Sequence, residues 1–146
     1  MKKPKRAKIS QCMIVKNEEK NMEQALSWGK GVVSEQIVVD TGSTDRTVEI
    51  AQKLGATVYH FDWIDDFSAA KNFAISKANC EWIAFLDADE YFTKEDGNKL
   101  LSLLNQIQDY NCEAVATGLI NLDDYGSIIS VDTHIRIFRN RPDLRY

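Results

Sequence analysis

The nine residues Trp82-Ile83-Ala84-Phe85-Leu86-Asp87-Ala88-Asp89-Glu90 restrict the fold more than any other stretch of this chain. An unbroken apolar run of strand length, rich in aromatic and branched side chains, reads as a strand buried on both faces. Such a strand lies inside a sheet covered by helices on both sides, and this one stops abruptly in three carboxylates. In open α/β sheets, ligands collect outside the carboxyl ends of the strands. Aspartates at i and i+2 around a small residue can share a hard divalent cation there. Taken alone, an Asp-x-Asp is equally the acidic end of a solvated turn, so its meaning depends on the rest of the chain.

Strand and helix signals alternate on either side of it. Residues 9–15 form a strand pattern closed by Lys16-Asn17-Glu18-Glu19-Lys20, and a helix follows from about Met22 with Asn21 as N-cap, ended by Gly29 and Gly31. Residues 36–39 are the next strand, with Asp40 at its tip. Ser43, Thr44 and Asp45 then shape a turn and cap a helix over residues 46–54, which Gly55 stops. A short strand at 57–60 precedes a helix capped by Asp66 or Ser68, whose Phe67, Ala70, Ala74, Ile75 and Ala78 recur at helical spacing. Beyond the acidic strand, Thr93 opens a helix with Leu100, Leu103, Leu104 and Ile107 as one core stripe. From Ala114 onward only strands are expected, at 114–122, 128–131 and 134–139, with a turn at 123–127. The implied class is α/β: a mostly parallel sheet with flanking helices and an antiparallel C-terminal portion.

With 146 residues, the chain is one domain able to bury about two-thirds of its unfolded surface. We place that domain at residues 9–146, behind a basic tail at 1–8 that lacks the apolar segment of a signal peptide. The tail reads as solvated, with weak attraction to an anionic membrane as the second option. A formal net charge of −4 argues against a general nucleic-acid binder. No apolar run approaches the roughly 18 residues of a membrane span, so a cytoplasmic protein is expected, at most peripheral to the inner face of the membrane. Cys12, Cys80 and Cys112 are odd in number and widely spaced, which favours reduced thiols over a disulfide or zinc framework.

Successive parallel strands place their carboxyl ends on one edge, so Asn17-Glu18, Asp40 and Asp87-Ala88-Asp89 are expected to converge there. A cation held by Asp87 and Asp89 would be Mg²⁺ or Mn²⁺, and with so few protein ligands it would need phosphate oxygens and water to complete its shell. That favours a diphosphate substrate. A carboxylate at the second strand tip suits a ribose hydroxyl or a base N–H.

Four motifs follow one another at a recognisable spacing: Cys12-Met13-Ile14-Val15-Lys16-Asn17-Glu18, Ile37-Val38-Val39-Asp40-Thr41-Gly42-Ser43-Thr44-Asp45-Arg46-Thr47, Phe67-Ser68-Ala69-Ala70-Lys71-Asn72-Phe73-Ala74 and Phe85-Leu86-Asp87-Ala88-Asp89-Glu90. Together they resemble family 2 glycosyltransferases of the GT-A, Rossmann-like fold. The nearest resemblance is to the branch with lipooligosaccharide β-1,4-glucosyltransferases and glycosyltransferases carrying tetratricopeptide repeats. The resemblance implies a nucleotide held by Val15, Asn17, Glu18, Asp40, Lys71, Asn72, Asp87 and Ala88. It implies that Asp89 binds the cation directly, whereas Asp87 acts on the ribose or through metal-bound water. The implied activity is metal-dependent, inverting transfer of a sugar from a nucleoside diphosphate, with UDP ahead of GDP and UDP-glucose as the representative donor. The acceptor hydroxyl belongs to an unknown partner, and nucleic acid is not expected as one.

One departure from the pattern concerns the general base, which such enzymes usually carry well beyond the metal motif. Asp124, Asp132 and His134 are the weak candidates, together with Asp123, and the chain is expected to be short of part of the acceptor-binding region. Two rivals follow. A donor-binding module without catalysis shares every motif, and a haloacid-dehalogenase-type phosphatase shares Asp-x-Asp but expects Thr or Val where Tyr91 stands.

Overall fold

The computed structural model describes residues 6–146. Strands β1 (Ile9–Val15), β2 (Glu35–Asp40), β3 (Thr57–His60), β4 (Trp82–Phe85), β5 (Ala114–Leu122) and β6 (Ile128–Arg139) form one sheet in the order β3-β2-β1-β4-β6-β5. The first four are parallel, and β6 joins β4 and β5 in antiparallel pairs. Helices α1 (Met22–Ser27), α2 (Thr47–Lys53), α3 (Phe67–Ser76) and α4 (Lys94–Ile107) connect them. The expected mixed α/β sheet is therefore present. Strand order reverses between β1 and β4, the switch point where open α/β sheets leave a crevice for ligands.

Both faces of the parallel half are covered, as the continuous apolar strands require. On one face Met13, Val15 and Val38 pack against Met22, Ala25, Leu26 and Ala51, while Ile9, Trp82 and Ala84 meet Trp28, Leu100 and Leu104. On the other face Cys12, Ile37, Val39, Ile83 and Phe85 meet Ala74 and Ile75. Burial pushes the Cys12 thiol up to about 12, so it stays protonated as a small core hydrophobe; Cys80 and Cys112 are free as well.

Several local expectations give way to tertiary contacts. Asn21 stands at the N-cap position of α1 but makes no side-chain cap bond; its amide donates instead to Glu18 Oε2 at 2.9 Å. Phe67 is 65% exposed and stacks edge-on against Trp63 rather than entering the core. Leu103 is exposed beside its buried neighbour Leu104, because a narrower strip of α4 than the apolar stripe touches the sheet. The two short C-terminal strands are one continuous β6. Of the expected tail, residues 1–5 lie outside the described residues; Ala7 is buried in the core and donates to Asn105 Oδ1 at 2.6 Å.

β6 pairs with β4 only from Arg139 to Ile137. The rest of the β5–β6 hairpin runs past the end of β4, exposing Ile120, Leu122, Ile128, Ile129, Val131 and Ile135. No helix among the described residues is long and apolar enough to cross a membrane.

Candidate functional site

The loops after β1 and β2 are clasped to each other. The backbone N–H of Asn17 donates to Ser43 Oγ at 2.9 Å, and its side-chain oxygen accepts from Thr44 N–H at 2.7 Å and Asp45 N–H at 3.4 Å. Glu18 N–H donates to Thr47 Oγ1 at 2.8 Å, while Asp45 accepts from the backbone of Thr47 and Glu19. Asn17 has φ +53, a left-handed conformation that asparagine tolerates better than most residues. The clasp thus occupies the Asn17 amide, and Ser43, Thr44 and Asp45 do shape this turn.

Asp40 ends β2 opposite Val15 of β1 and is only 6% exposed. Its carboxylate accepts from Gly42 N–H and Ser43 N–H at 3.2 Å, and His60 Nδ1 lies 3.7 Å away. Gly42, at φ +123, has the backbone freedom that this tight turn needs. A carboxylate offers about four acceptor positions, so Asp40 can frame its own turn and still accept from a ligand. The Val15 carbonyl accepts from both Thr41 N–H and Thr41 Oγ1 at 3.0 Å, while its side chain is in the core.

The tip of β4 is built differently. Ala88 is 6% exposed and packs into the cluster of Met13, Val15 and Met22, so its methyl group anchors the turn and only its backbone faces outward chemistry. Asp87 N–H donates to Glu90 Oε1 at 2.8 Å, and Glu90 N–H donates back to the Asp87 carbonyl at 3.0 Å. Asp87 and Asp89 are exposed. Loss of water, then the neighbouring Glu90 charge, raise the Asp87 carboxyl above its ordinary value, against the pull of Arg136 and Lys71. No hydrogen bond or ion pair within the described chain occupies the Asp89 carboxylate.

Lys71 and Asn72, on α3, both meet Tyr146. The Lys71 ammonium lies 4.4 Å from the Tyr146 ring centre and 5.8 Å from that of Phe85. Asn72 Nδ2 donates to the Tyr146 carbonyl at 2.8 Å, and its Oδ1 accepts from Tyr146 N–H at 2.9 Å. A groove of about 430 Å³ runs along Ile135, Phe138, Leu144 and Tyr146.

The parallel register brings Val15, Asn17 and Glu18, Asp40, and Asp87 to Asp89 to one edge. β2 and β4 flank β1, so their tips are two strand spacings, roughly 10 Å, apart. The donor set at β4 is oxygen only, which fits Mg²⁺ or Mn²⁺. Among the described residues no cluster of three or more His, Cys, Asp or Glu side chains is grouped to hold a metal ion. The candidate bases lie on the hairpin. Asp123 accepts from Tyr125 and Ser127 N–H, both at 2.9 Å; Asp132 accepts from Asn121 Nδ2 at 2.9 Å; Asp124 is exposed in the turn; and the His134 carbonyl accepts from Thr117 Oγ1.

Sequence pattern marks Glu90 only as the third carboxylate at the strand end and gives Arg136 and Tyr146 no role in the site. Glu90 adjoins the acidic pair, but nothing local says that Arg136, forty-six positions on, is its partner.

Comparison with known proteins gives a consistent answer. Residues 10–142 match the family described as Glycosyl transferase family 2. A TPR repeat-containing protein of Synechococcus elongatus is 43% identical over 140 residues, spanning 96% of this chain and 34% of the relative. Among solved structures, Staphylococcus aureus TarS in complex with UDP-GlcNAc superposes with a TM-score of 0.62 at 24% identity, over 80% of this chain and 34% of that one. The mannosyltransferase PcManGT of Pyrobaculum calidifontis, in complex with GDP-Man and Mn²⁺, gives 0.66 at 20% identity, over 83% and 38%. The chain spans about a third of the length of the curated relatives it matches.

Proposed function

This chain belongs to glycosyl transferase family 2, and from that premise we propose that its carboxyl edge binds a nucleoside-diphosphate sugar through a divalent cation for inverting transfer to an acceptor hydroxyl. The single observation that carries the reading is the uncommitted Asp89 carboxylate beside Asp87 at the β1–β4 switch point. Asp89, with Asp87, would hold Mn²⁺ or Mg²⁺. Bound there, the cation supplies charge stabilisation for the departing nucleoside diphosphate. Asp40, two strands away, accepts from the base or ribose, and Lys71 adds positive charge to the same edge. The loop backbone at Val15 to Glu18 lies beside the nucleotide. UDP is placed ahead of GDP, although the two neighbours described above are complexed with one nucleotide each.

A second reading has a specific observation behind it. Asp123 and Asp132 hold the hairpin with their carboxylates, and no hydrogen bond or ion pair among the described residues ties Asp123, Asp124, Asp132 or His134 to the Asp87–Asp89 turn, so no general base is assigned. Donor binding is therefore the property to expect of these 146 residues, with transfer by them alone slow or absent; rapid transfer to a defined acceptor would refute that half. The phosphatase alternative loses its basis with the family match.

The test is a thermal-shift series with UDP and GDP, each with and without Mn²⁺, repeated on Asp89→Ala. Ligand at a hundredfold excess over Kd adds about 2.7 kcal/mol, several degrees of melting temperature for a chain of this size. The shift is expected only with Mn²⁺ and is expected to vanish in Asp89→Ala. A metal-independent shift, or one the substitution leaves intact, would overturn the proposal.

A further inference from the structure

We infer that Glu90 and Arg136 are positioning residues that hold the Asp87-Ala88-Asp89 turn in the form a cation-bound diphosphate requires; this rests on the function proposed above. Glu90 Oε1 accepts from Asp87 N–H at 2.8 Å and from Arg136 Nε at 3.1 Å, and Oε2 accepts from Arg136 Nε at 3.3 Å and Nη2 at 3.1 Å. Both oxygens of the third acid in the triplet are thereby engaged. Its carboxylate is turned to the Asp87 N–H and the Arg136 guanidinium, which leaves a cation to meet Asp87 and Asp89 with positions for phosphate oxygens.

Two further features point the same way. The Glu90 and Arg136 side chains are only 10% and 25% exposed, so this is no solvated surface pair. A shielded pair gains little net stability over apolar packing, which makes stability alone a weak account of it. Arg136 is also the extra residue of a β-bulge: Val115 pairs with Ile137, and Ala116 with Ile135. A bulge re-aims the unpaired side chain, and here that side chain is the one that grips Glu90. Arg136 thus ties the metal-binding turn of β4 to the antiparallel strand beside it.

The experiment is a calorimetric titration of Mn²⁺ into the full chain with saturating UDP, with melting of the ligand-free proteins measured alongside. Glu90→Ala and Arg136→Met are expected to weaken Mn²⁺ by about 10- to 100-fold, the usual effect of losing the support behind a metal ligand. Glu90→Gln keeps an amide oxygen for Asp87 N–H, and Arg136→Lys keeps the charge without the fork. These milder variants guard against a failure to fold and are expected to lose about tenfold. If all four bind Mn²⁺ and UDP within about twofold of the unsubstituted chain, whatever their melting temperatures, the pair is only a structural staple and the inference is overturned. If the unsubstituted chain shows no Mn²⁺-dependent UDP binding, or Asp89→Ala binds as well as it does, the functional reading falls and takes the inference with it.

Discussion

β2 and β4 carry the same written sign, an apolar strand that ends in aspartate, yet their tips are opposite in construction. At β2, Asp40 is 6% exposed and caps its own turn through Gly42 and Ser43. At β4, Asp89 is exposed and bonded to nothing in the described chain, while Glu90 beside it is tied to Arg136. One tip uses its carboxylate to make a frame; the other is framed by a neighbour so that its carboxylates stay free. A buried charge that already accepts hydrogen bonds is structural first and a contact second. A free one beside a fixed turn remains open to a ligand from outside.

That contrast can be broken most easily by stability measurements. Asp40→Ala removes an acceptor from two backbone N–H groups in a nearly closed turn and is expected to cost roughly 2–3 kcal/mol, read as a lower urea midpoint. Asp89→Ala is expected to stay within about 0.5 kcal/mol. Equal losses at the two sites would erase the distinction. The next largest effect is expected at Asn17, where alanine removes the amide that accepts from Thr44 and meets an unfavourable φ of +53, a loss of about 1–2 kcal/mol. Asn17→Gly, which tolerates that φ, is expected to lose less. A glycine variant as weak as alanine would show that the amide alone holds the clasp.

The smallest expected effects are in pH dependence, and they differ in sign. Hydrogen bonding to Thr47 lowers the Asp45 carboxyl below its usual value. Its contribution to stability is therefore present above the unfolded value near 3.9 and is lost as pH falls through the lower folded value. Asp87 is raised, by loss of water and then by Glu90. Its contribution favours the fold at low pH and is lost as pH rises from about 3.9 through the higher folded value. In metal-free buffer, Asp45→Asn is expected to flatten the acid side of the stability profile and Asp87→Asn the side toward neutrality. Denaturant midpoints that change on the same side for both variants would contradict the two environments.

Much of the parallel half was legible because its signals are local. A strand buried on both faces needs a continuous apolar run, and Trp82–Phe85 supplies one where β4 lies; the strand patterns at 9–15 and 57–60 coincide with β1 and β3. Asp66 caps α3 and Thr93 caps α4 through side-chain oxygens, as their positions suggested. What failed were inferences about faces and partners. Phe67 and Leu103 follow the helical period but point where no element covers them. Asn17 spends its side-chain oxygen on a loop clasp and Ala88 its methyl group on the core, contacts that no local pattern announced. The buried amide of Gln11 and the half-buried amide of Gln36, which donate to the Ala25 and Leu26 carbonyls at the end of α1, gave no periodic signal at all.

The order of strands and helices, the family motifs and the gathering of acids on one edge were determined by the sequence itself, because each follows from short-range pattern and from the rule that parallel strands share a carboxyl end. Which acid is free and which is already in use was decided only in three dimensions. Hydrogen-bond partners such as Arg136 for Glu90, or Ser43 for Asn17, depend on register, bulges and burial, and those are set where distant segments of the chain pack together.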